Sequence, residues 1–258
     1  VGLGVMGYHS FLQANMIPME SVMAKVWNNK MFANIRKKAD AASRALAQEK
    51  GACPDAAEFG IEERFSNKMA VAPTASISII CGGASPGIEP IAANSFTHKT
   101  LSGSFSVKNK HLKELLEAKG MDNDDVWSSI SVNEGSVQHL EFLSDDEKDV
   151  FKTAFELDQR WLIEHAADRT PHICQAQSLN VFLPADIHKR DLHQVHFQAW
   201  KKGVKSLYYC RSKSIQRAEA GEETKMSFAA NLPHRGKVNG GERPASNPND
   251  YDECLACQ

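Results

Sequence analysis

The last third of the chain carries the tightest constraint on its fold. Ser178-Leu-Asn-Val-Phe-Leu183 reads as a strand, Pro184 to Lys202 as a helix, and Lys202-Gly-Val-Lys-Ser-Leu-Tyr-Tyr-Cys-Arg211 as another strand. Val204, Leu207, Tyr208 and Tyr209 are β-formers in a short run bounded by Gly203 and the polar Arg211-Ser-Lys, which predicts a buried strand following a helix. Helix and strand in alternation argue for an α/β fold with parallel strands. The adjacent tyrosines are good strand residues in any case, so the pair alone favours a structural role over a chemical one.

The earlier segments fit the same scheme less tightly. Gly2-Leu-Gly-Val-Met-Gly7 has the letters of a dinucleotide fingerprint, but only Val1 precedes it where a strand is required. Close packing at the start of a helix through Tyr8, Phe11 and Leu12 is the plainer reading. Val22, Val26, Ala33, Ala41, Ala45 and Leu46 recur at helical spacing between Pro18 and Gly51, predicting one long amphipathic helix. Cys53, in the turn that follows, reads as a small packed residue. Lys68-Met-Ala-Val-Ala72 is a short strand candidate feeding Pro73-Thr-Ala-Ser-Ile-Ser-Ile-Ile80. Pro73 suits the first turn of a helix, whose free N–H groups, with the hydroxyls of Thr74, Ser76 and Ser78, would make an anion site. A polar strand-to-helix connection is the simpler alternative. The Gly/Pro-rich run to Pro90 lacks the Gly-Lys-Ser/Thr of a P-loop. Phe96 to Val107 predicts a hairpin around Ser102-Gly103, and Leu112, Leu115 and Leu116 a helix stopped by Gly120. Ser144-Asp-Asp-Glu147 is a capping box before Val150, Phe151, Ala154 and Phe155, and a short helix follows from Trp161 to Ala167.

Composition sets broad limits. The 258 residues are 42% hydrophobic and 24% charged, with a formal net charge of −2. That is ordinary globular composition, with no charge excess to suggest nucleic-acid or membrane partners. No apolar run approaches the roughly 18 residues of a membrane span. Six cysteines in so large a chain do not suggest a disulfide scaffold, and a reducing, cytoplasmic setting is expected. His188, His193 and His196 share the last long helix at spacings that do not gather all three, so a solvated face is expected there and no metal site. Residues 211–258 are poor in large apolar side chains and rich in Gly, Pro and charge, which predicts a mobile tail ending in Cys254-Leu-Ala-Cys257. The chain starts at Val1 in an apolar stretch without a targeting pattern, and the expectation is that it belongs to a longer protein.

Pro73-Thr-Ala-Ser-Ile-Ser, Gly87-Ile-Glu-Pro90, Gln177-Ser-Leu-Asn180, Ala199-Trp-Lys-Lys-Gly-Val-Lys-Ser-Leu-Tyr-Tyr209 and the terminal Cys-x-x-Cys occur in one order along the chain. Together with Gly2-Leu-Gly-Val and Glu49-Lys-Gly-Ala-Cys-Pro54 they resemble the large (α) subunit of class I, aerobic ribonucleotide reductases. The resemblance implies the C-terminal part of a ten-stranded α/β barrel, here residues 1–210, followed by a flexible tail. It implies that Pro73, Thr74, Ala75, Ser76 and Ile77 hold the diphosphate of a ribonucleoside diphosphate. Tyr208 and Tyr209 would pass on a radical from the metal-containing small (β) subunit. Phenols suit that task because an oxidised phenol is strongly acidic, so electron and proton move together without a charged intermediate in a low-dielectric site. Cys254 and Cys257 would relay electrons by thiol–disulfide exchange from thioredoxin or glutaredoxin. Half a zinc site is the alternative, but a second Cys-x-x-Cys is missing.

The family's Asn-x-Cys-x-Glu loop, which bears the radical cysteine and a catalytic glutamate, is not among these residues. Cys53, Cys81, Cys174 and Cys210 lack the surroundings of the family's active-site pair. The 258 residues alone are therefore expected not to reduce a nucleotide, and to be poorly soluble because half a barrel leaves open strand edges. No cofactor is expected on this chain, ATP/dATP-type effectors would bind outside it, and large subunits would pair as a homodimer. Two rival readings remain: a cobalamin-dependent reductase, which needs no tyrosine relay, and a non-catalytic phosphate-binding module with a redox tail.

Overall fold

Four extended segments lie side by side and run in the same direction. The Leu3 N–H donates to the Lys68 carbonyl at 2.7 Å, and the Ala70 N–H returns to the Leu3 carbonyl at 3.0 Å. One strand further on, the Val71 N–H donates to Ala176 (3.1 Å) and the Ser178 N–H to Val71 (2.9 Å). The Tyr208 N–H then donates to Leu179 (2.8 Å), and the Val181 N–H to Tyr209 (2.9 Å). The sheet order is thus the sequence order, every neighbour being parallel, as the alternation of helix and strand predicts. The computed structural model describes residues 1–100 and 103–212, so the tail expected beyond Arg211 lies almost wholly outside the described residues.

Helices fill the connections. Between the first two segments lie α1 (Tyr8–Ala14), α2 (Val22–Lys50) and α3 (Pro54–Glu58). The second connection holds α4 (Ala75–Ile80), the antiparallel pair β1 (Ser95–Thr100) and β2 (Gly103–Lys108), then α5 (Lys110–Ala118), α6 (Asp124–Val132), α7 (Asp145–Val150) and α8 (Gln159–Arg169). The third segment ends in β3 (Val181–Leu183), and α9 (Lys189–Lys201) carries the chain to β4 (Cys210–Ser212), with Val181 opposite Cys210.

Local chemistry explains most boundaries. Ser21 caps α2 by accepting the Ala24 N–H, so the long helix starts just after Pro18 has turned the chain. The capping box of Ser144 and Glu147 is present at α7. That helix is shorter than its apolar pattern suggests: the Ala154 N–H leaves it to reach the Ile91 carbonyl, and Phe155 lies beyond its end. α9 starts at Lys189, where His188 Nδ1 accepts the Arg190 N–H, because Pro184 closes the strand and a non-helical stretch intervenes. Helix α6 has no apolar spacing long enough to predict it, although Asn123 caps it and Asp124-Asp125 favour its first turn. The expected hairpin is present, with Ser102 of its turn outside the described residues.

Among the described residues two apolar clusters result. One wraps the parallel sheet, joining Tyr8, Leu12 and Phe32 to Met69, Val71, Ile163, Leu179, Val181 and Leu183. The other is built by α5, α6 and α7 around Leu112, Leu116, Trp127, Ile130 and Phe151. The first residues pack as tightly as their glycines suggest: a Cβ at Gly4 would lie 2.3 Å from the Ala70 carbonyl oxygen.

Candidate active-site region

The loop leaving the second strand is fixed at both ends. Val71 bridges Gln177, and two residues later Pro73 turns the chain away from the sheet. Thr74 caps α4 with φ 53°, so Pro73 lies before the helix and not in its first turn. The first helical bond runs from the Ser78 N–H to the Thr74 carbonyl at 2.9 Å, leaving the N–H groups of Ala75, Ser76 and Ile77 ahead of it. The hydroxyls divide differently from the sequence expectation. Thr74 Oγ1 accepts the Gly87 N–H at 2.7 Å, and the buried Ser78 donates to the Ala75 carbonyl at 2.9 Å. Ser76 alone of the three hydroxyl side chains is exposed. Ser78 serves the helix and not an anion.

Helix α1 clamps the far end of this loop. The Gly7 N–H donates to the Ser85 carbonyl at 2.8 Å, Ser10 and Ser85 exchange backbone-to-hydroxyl bonds, and the Ile91 N–H donates to His9 Nδ1 at 3.1 Å. Burial, with His111 nearby, pushes His9 down to about 3, so its acceptor nitrogen stays neutral. Gly87 has φ 48°, and a Cβ there would lie 2.9 Å from the Ala72 carbonyl oxygen; only glycine lets the loop close on itself.

A chain of hydrogen bonds leads from this loop to the tyrosines. Glu89, only 6% exposed, accepts the Asn180 N–H with one carboxylate oxygen and the Asn180 Nδ2–H with the other, each at 3.1 Å. Asn180 Oδ1 then accepts the Tyr209 N–H at 3.0 Å. Burial raises the Glu89 carboxyl above its usual range, opposed by the Asn180 N–H and the charge of Arg211. The Tyr208 and Tyr209 rings lie 4.1 Å apart between centroids at 49°, and the Arg211 guanidinium sits 5.9 Å over the Tyr209 ring. The two tyrosines are 45% and 42% exposed, which corrects the expectation of a buried strand. Among the described residues their segment is hydrogen-bonded to a neighbouring strand on one side.

Below the tyrosines, Gln177 binds Arg169. Arg169 Nε donates to Gln177 Oε1 at 2.8 Å, and its guanidinium also donates to Asn28 Oδ1 at 3.0 Å. It lies against the rings of Tyr8 and Phe32 at 5.6 and 5.5 Å, and complete burial lowers it to about 10. The sequence assigns no role to Arg169, Asn28 or Glu89; the readable signal was polar Gln177 and Asn180 in an otherwise apolar strand.

The remaining candidates lie apart from this network. His188, His193 and His196 are all exposed; His196 Nδ1 pairs with the Leu192 carbonyl, and His193 stacks on Phe197. No group of three or more His, Cys, Asp or Glu among the described residues could hold a metal. Cys174 Sγ accepts the N–H groups of Lys68 and Met69, each at 3.0 Å; burial alone would raise this thiol, and those donors bring it below the usual range. Cys254 and Cys257 lie outside the described residues. No helix among the described residues is long and apolar enough to cross a membrane.

A parallel sheet with a glycine-closed loop at a strand's carboxyl end is thus tied through buried polar bonds to a pair of adjacent tyrosines. The profile of the family described as "Ribonucleotide reductase, barrel domain" matches residues 1–63 and 55–210, and the chain belongs to that family. It is 49% identical over 223 residues to a ribonucleoside-diphosphate reductase large subunit of Invertebrate iridescent virus 6, covering 85% of this chain and 23% of that protein. A putative large subunit of Frog virus 3 is 40% identical over 258 residues, covering 100% of this chain and 42% of the relative. Among solved structures, the Actinobacillus ureae class Id ribonucleotide reductase alpha subunit superposes with a TM-score of 0.76 at 41% identity, over 83% of this chain and 39% of that one. The chain thus spans less than half the length of these proteins.

Proposed function

We propose that this chain forms the C-terminal part of a ribonucleoside-diphosphate reductase large subunit, which converts ribonucleotides to deoxyribonucleotides by radical chemistry. The observation that carries the reading is that one short loop is tied at both ends: the Gly87 N–H to Thr74 Oγ1, and two residues on, Glu89 to Asn180, whose Oδ1 accepts the Tyr209 N–H. Four motifs far apart in sequence meet in it.

In this reading Pro73, Thr74, Ala75, Ser76 and Ile77 bind the diphosphate of the substrate, the N–H groups of the α4 start and the Ser76 hydroxyl facing its oxygens. A small metal-bearing subunit docks nearby and supplies the radical. Tyr208 and Tyr209 pass it on: an oxidised phenol takes one electron and one proton from its neighbour, so each hop moves a net hydrogen atom. The 4.1 Å ring separation suits such a hop. The receiving cysteine lies on the part of the large subunit that this chain does not include. Cys254 and Cys257 carry two electrons and two protons per turnover from thioredoxin or glutaredoxin to the barrel's disulfide. The chain binds no cofactor of its own, effector nucleotides act on the remainder of the subunit, and two large subunits associate in the cytoplasm.

The test uses the complete large subunit with its small subunit. Tyr208→Phe and Tyr209→Phe should each abolish turnover while substrate affinity changes less than about twofold; activity retained in either overturns the relay. Cys254→Ser should lose turnover with thioredoxin yet keep one turnover per site. The tyrosine pair also favours this reading over a cobalamin-dependent reductase, which should tolerate phenylalanine at both positions.

A further inference from the structure

Two backbone groups dictate how the network at Asn180 must point. The N–H of Asn180 and the N–H of Tyr209 can only donate. Asn180 Oδ1 therefore has to face Tyr209, which turns Nδ2 towards residue 89. Residue 89 then receives two donors, the backbone N–H and the Nδ2–H of Asn180, and must accept on both of its terminal atoms. A carboxylate does this; an amide of the same shape brings its own NH2 group against one of the donors.

Glu89 is also well placed to sense the substrate loop. It follows Gly87 by two residues, and the Gly87 N–H is held by Thr74 Oγ1 at 2.7 Å. The next turn is pinned by the Ile91 N–H on His9. The carboxylate is thus anchored on the loop side by backbone and on the strand side by Asn180, with 6% of its surface exposed.

We propose that Glu89 and Asn180 are positioning residues for the radical relay: the Glu89 carboxylate locks the Asn180 amide, whose oxygen holds the Tyr209 backbone and sets the placement of the tyrosine pair relative to the Pro73–Ile77 loop. This rests on the reading of Tyr208 and Tyr209 as the relay. A small displacement at a reacting group lowers rate far more than it lowers binding, so the signature is a fall in kcat at nearly constant KM.

The decisive experiment is a polarity swap in the complete large subunit assayed with its small subunit. E89Q should lower kcat by about tenfold to a hundredfold, with KM for the nucleoside diphosphate within about twofold. N180D should do likewise, because two carboxylates then face each other. In E89Q/N180D every donor again meets an acceptor. The introduced amide at position 89 accepts the backbone N–H of position 180 with its oxygen and donates its NH2 to the introduced carboxylate. The second oxygen of that carboxylate accepts the Tyr209 N–H. The double variant should recover most of the lost kcat, which a general packing role for either side chain would not produce. If a single variant fails to fold, folding and activity of the double variant still decide the matter. Wild-type kcat in E89Q, a KM effect equal to the kcat effect, or no recovery in the double variant overturns the proposal. Tyr208→Phe and Tyr209→Phe run beside these variants separate the two readings. If they abolish turnover while E89Q stays normal, only the positioning role falls; if they leave turnover intact, the relay itself falls.

Discussion

The two cores of this protein are made of the same kinds of apolar side chain but bury different company. The cluster under α5, α6 and α7 consists of Leu112, Leu116, Trp127, Ile130, Val137, Leu140, Leu143, Val150 and Phe151. The sheet core has Asn28, Glu89, Gln159, Arg169, Gln177 and Asn180 buried beside it. Burying a polar group costs free energy unless each donor and acceptor is paired, so such groups constrain geometry wherever they occur. Gln159 illustrates the point: its Nε2 donates to the Ala154 and Leu157 carbonyls, and its Oε1 accepts the Phe182 N–H at 2.8 Å. The helical cluster meets such a group at its edge, where the buried Asn94 donates to the Phe151 and Gly135 carbonyls at 2.7 and 3.0 Å. The sheet core fixes the relative height of strands and loops, which is what a reaction needs.

That contrast predicts a graded series of effects on stability. Arg169→Met should be the most damaging, since it strands Gln177 Oε1 and Asn28 Oδ1 in a dry interior, and each buried acceptor left unpaired costs roughly 1–3 kcal/mol. Urea unfolding of the complete subunit measures it, and a loss below about 1 kcal/mol would erase the distinction between the cores. Leu116→Ala in the helical cluster should cost roughly 2–5 kcal/mol as a cavity while leaving kcat of the folded fraction untouched. A large drop in kcat there would mean that the helical cluster positions the site too.

Acid sensitivity should belong to the sheet core. His9 and His165 are both neutral in the fold, pushed down by burial to about 3 and about 4. The unfolded chain protonates them near 6.5, so it binds more protons than the fold below that pH. Their contribution to stability is complete above about pH 6.5 and lost as pH falls towards about 4 and then about 3. Two such groups give a slope of up to roughly 2.7 kcal/mol per pH unit. Between about pH 6 and pH 5, above most carboxylate titrations, His9→Gln should flatten the curve by about one proton's worth; an unchanged slope would show that His9 is solvated. Smallest of the series, Ser144→Ala removes the capping box of α7 and should cost about 1 kcal/mol, read from the thermal midpoint.

Much of this is readable one-dimensionally. The capping box at Ser144 and Glu147 acts within one turn of helix, and the glycine-rich start needs only its neighbours in the chain to announce close packing. Helix α6 escapes such a reading because Trp127 and Ile130 give too short an apolar stripe, although its Asn123-Asp-Asp start is legible. The tyrosine segment reads as buried and is not, because β-propensity reports fitness for a strand and says nothing about how many neighbours that strand has.

What the sequence by itself determined was the local alphabet: parallel strands separated by helices, a proline-headed hydroxyl loop, and a tyrosine pair at a strand end. These follow from side-chain volume, backbone freedom and hydrogen bonds spanning only a few residues. Tertiary structure alone decided which hydroxyl serves the loop and which serves the helix, that Glu89 answers to Asn180, 91 residues away, and that Arg169 is paired instead of expelled. The physical reason is that a buried polar atom takes whatever complementary partner the packing brings to it, and that partner's distance in sequence carries no local signature.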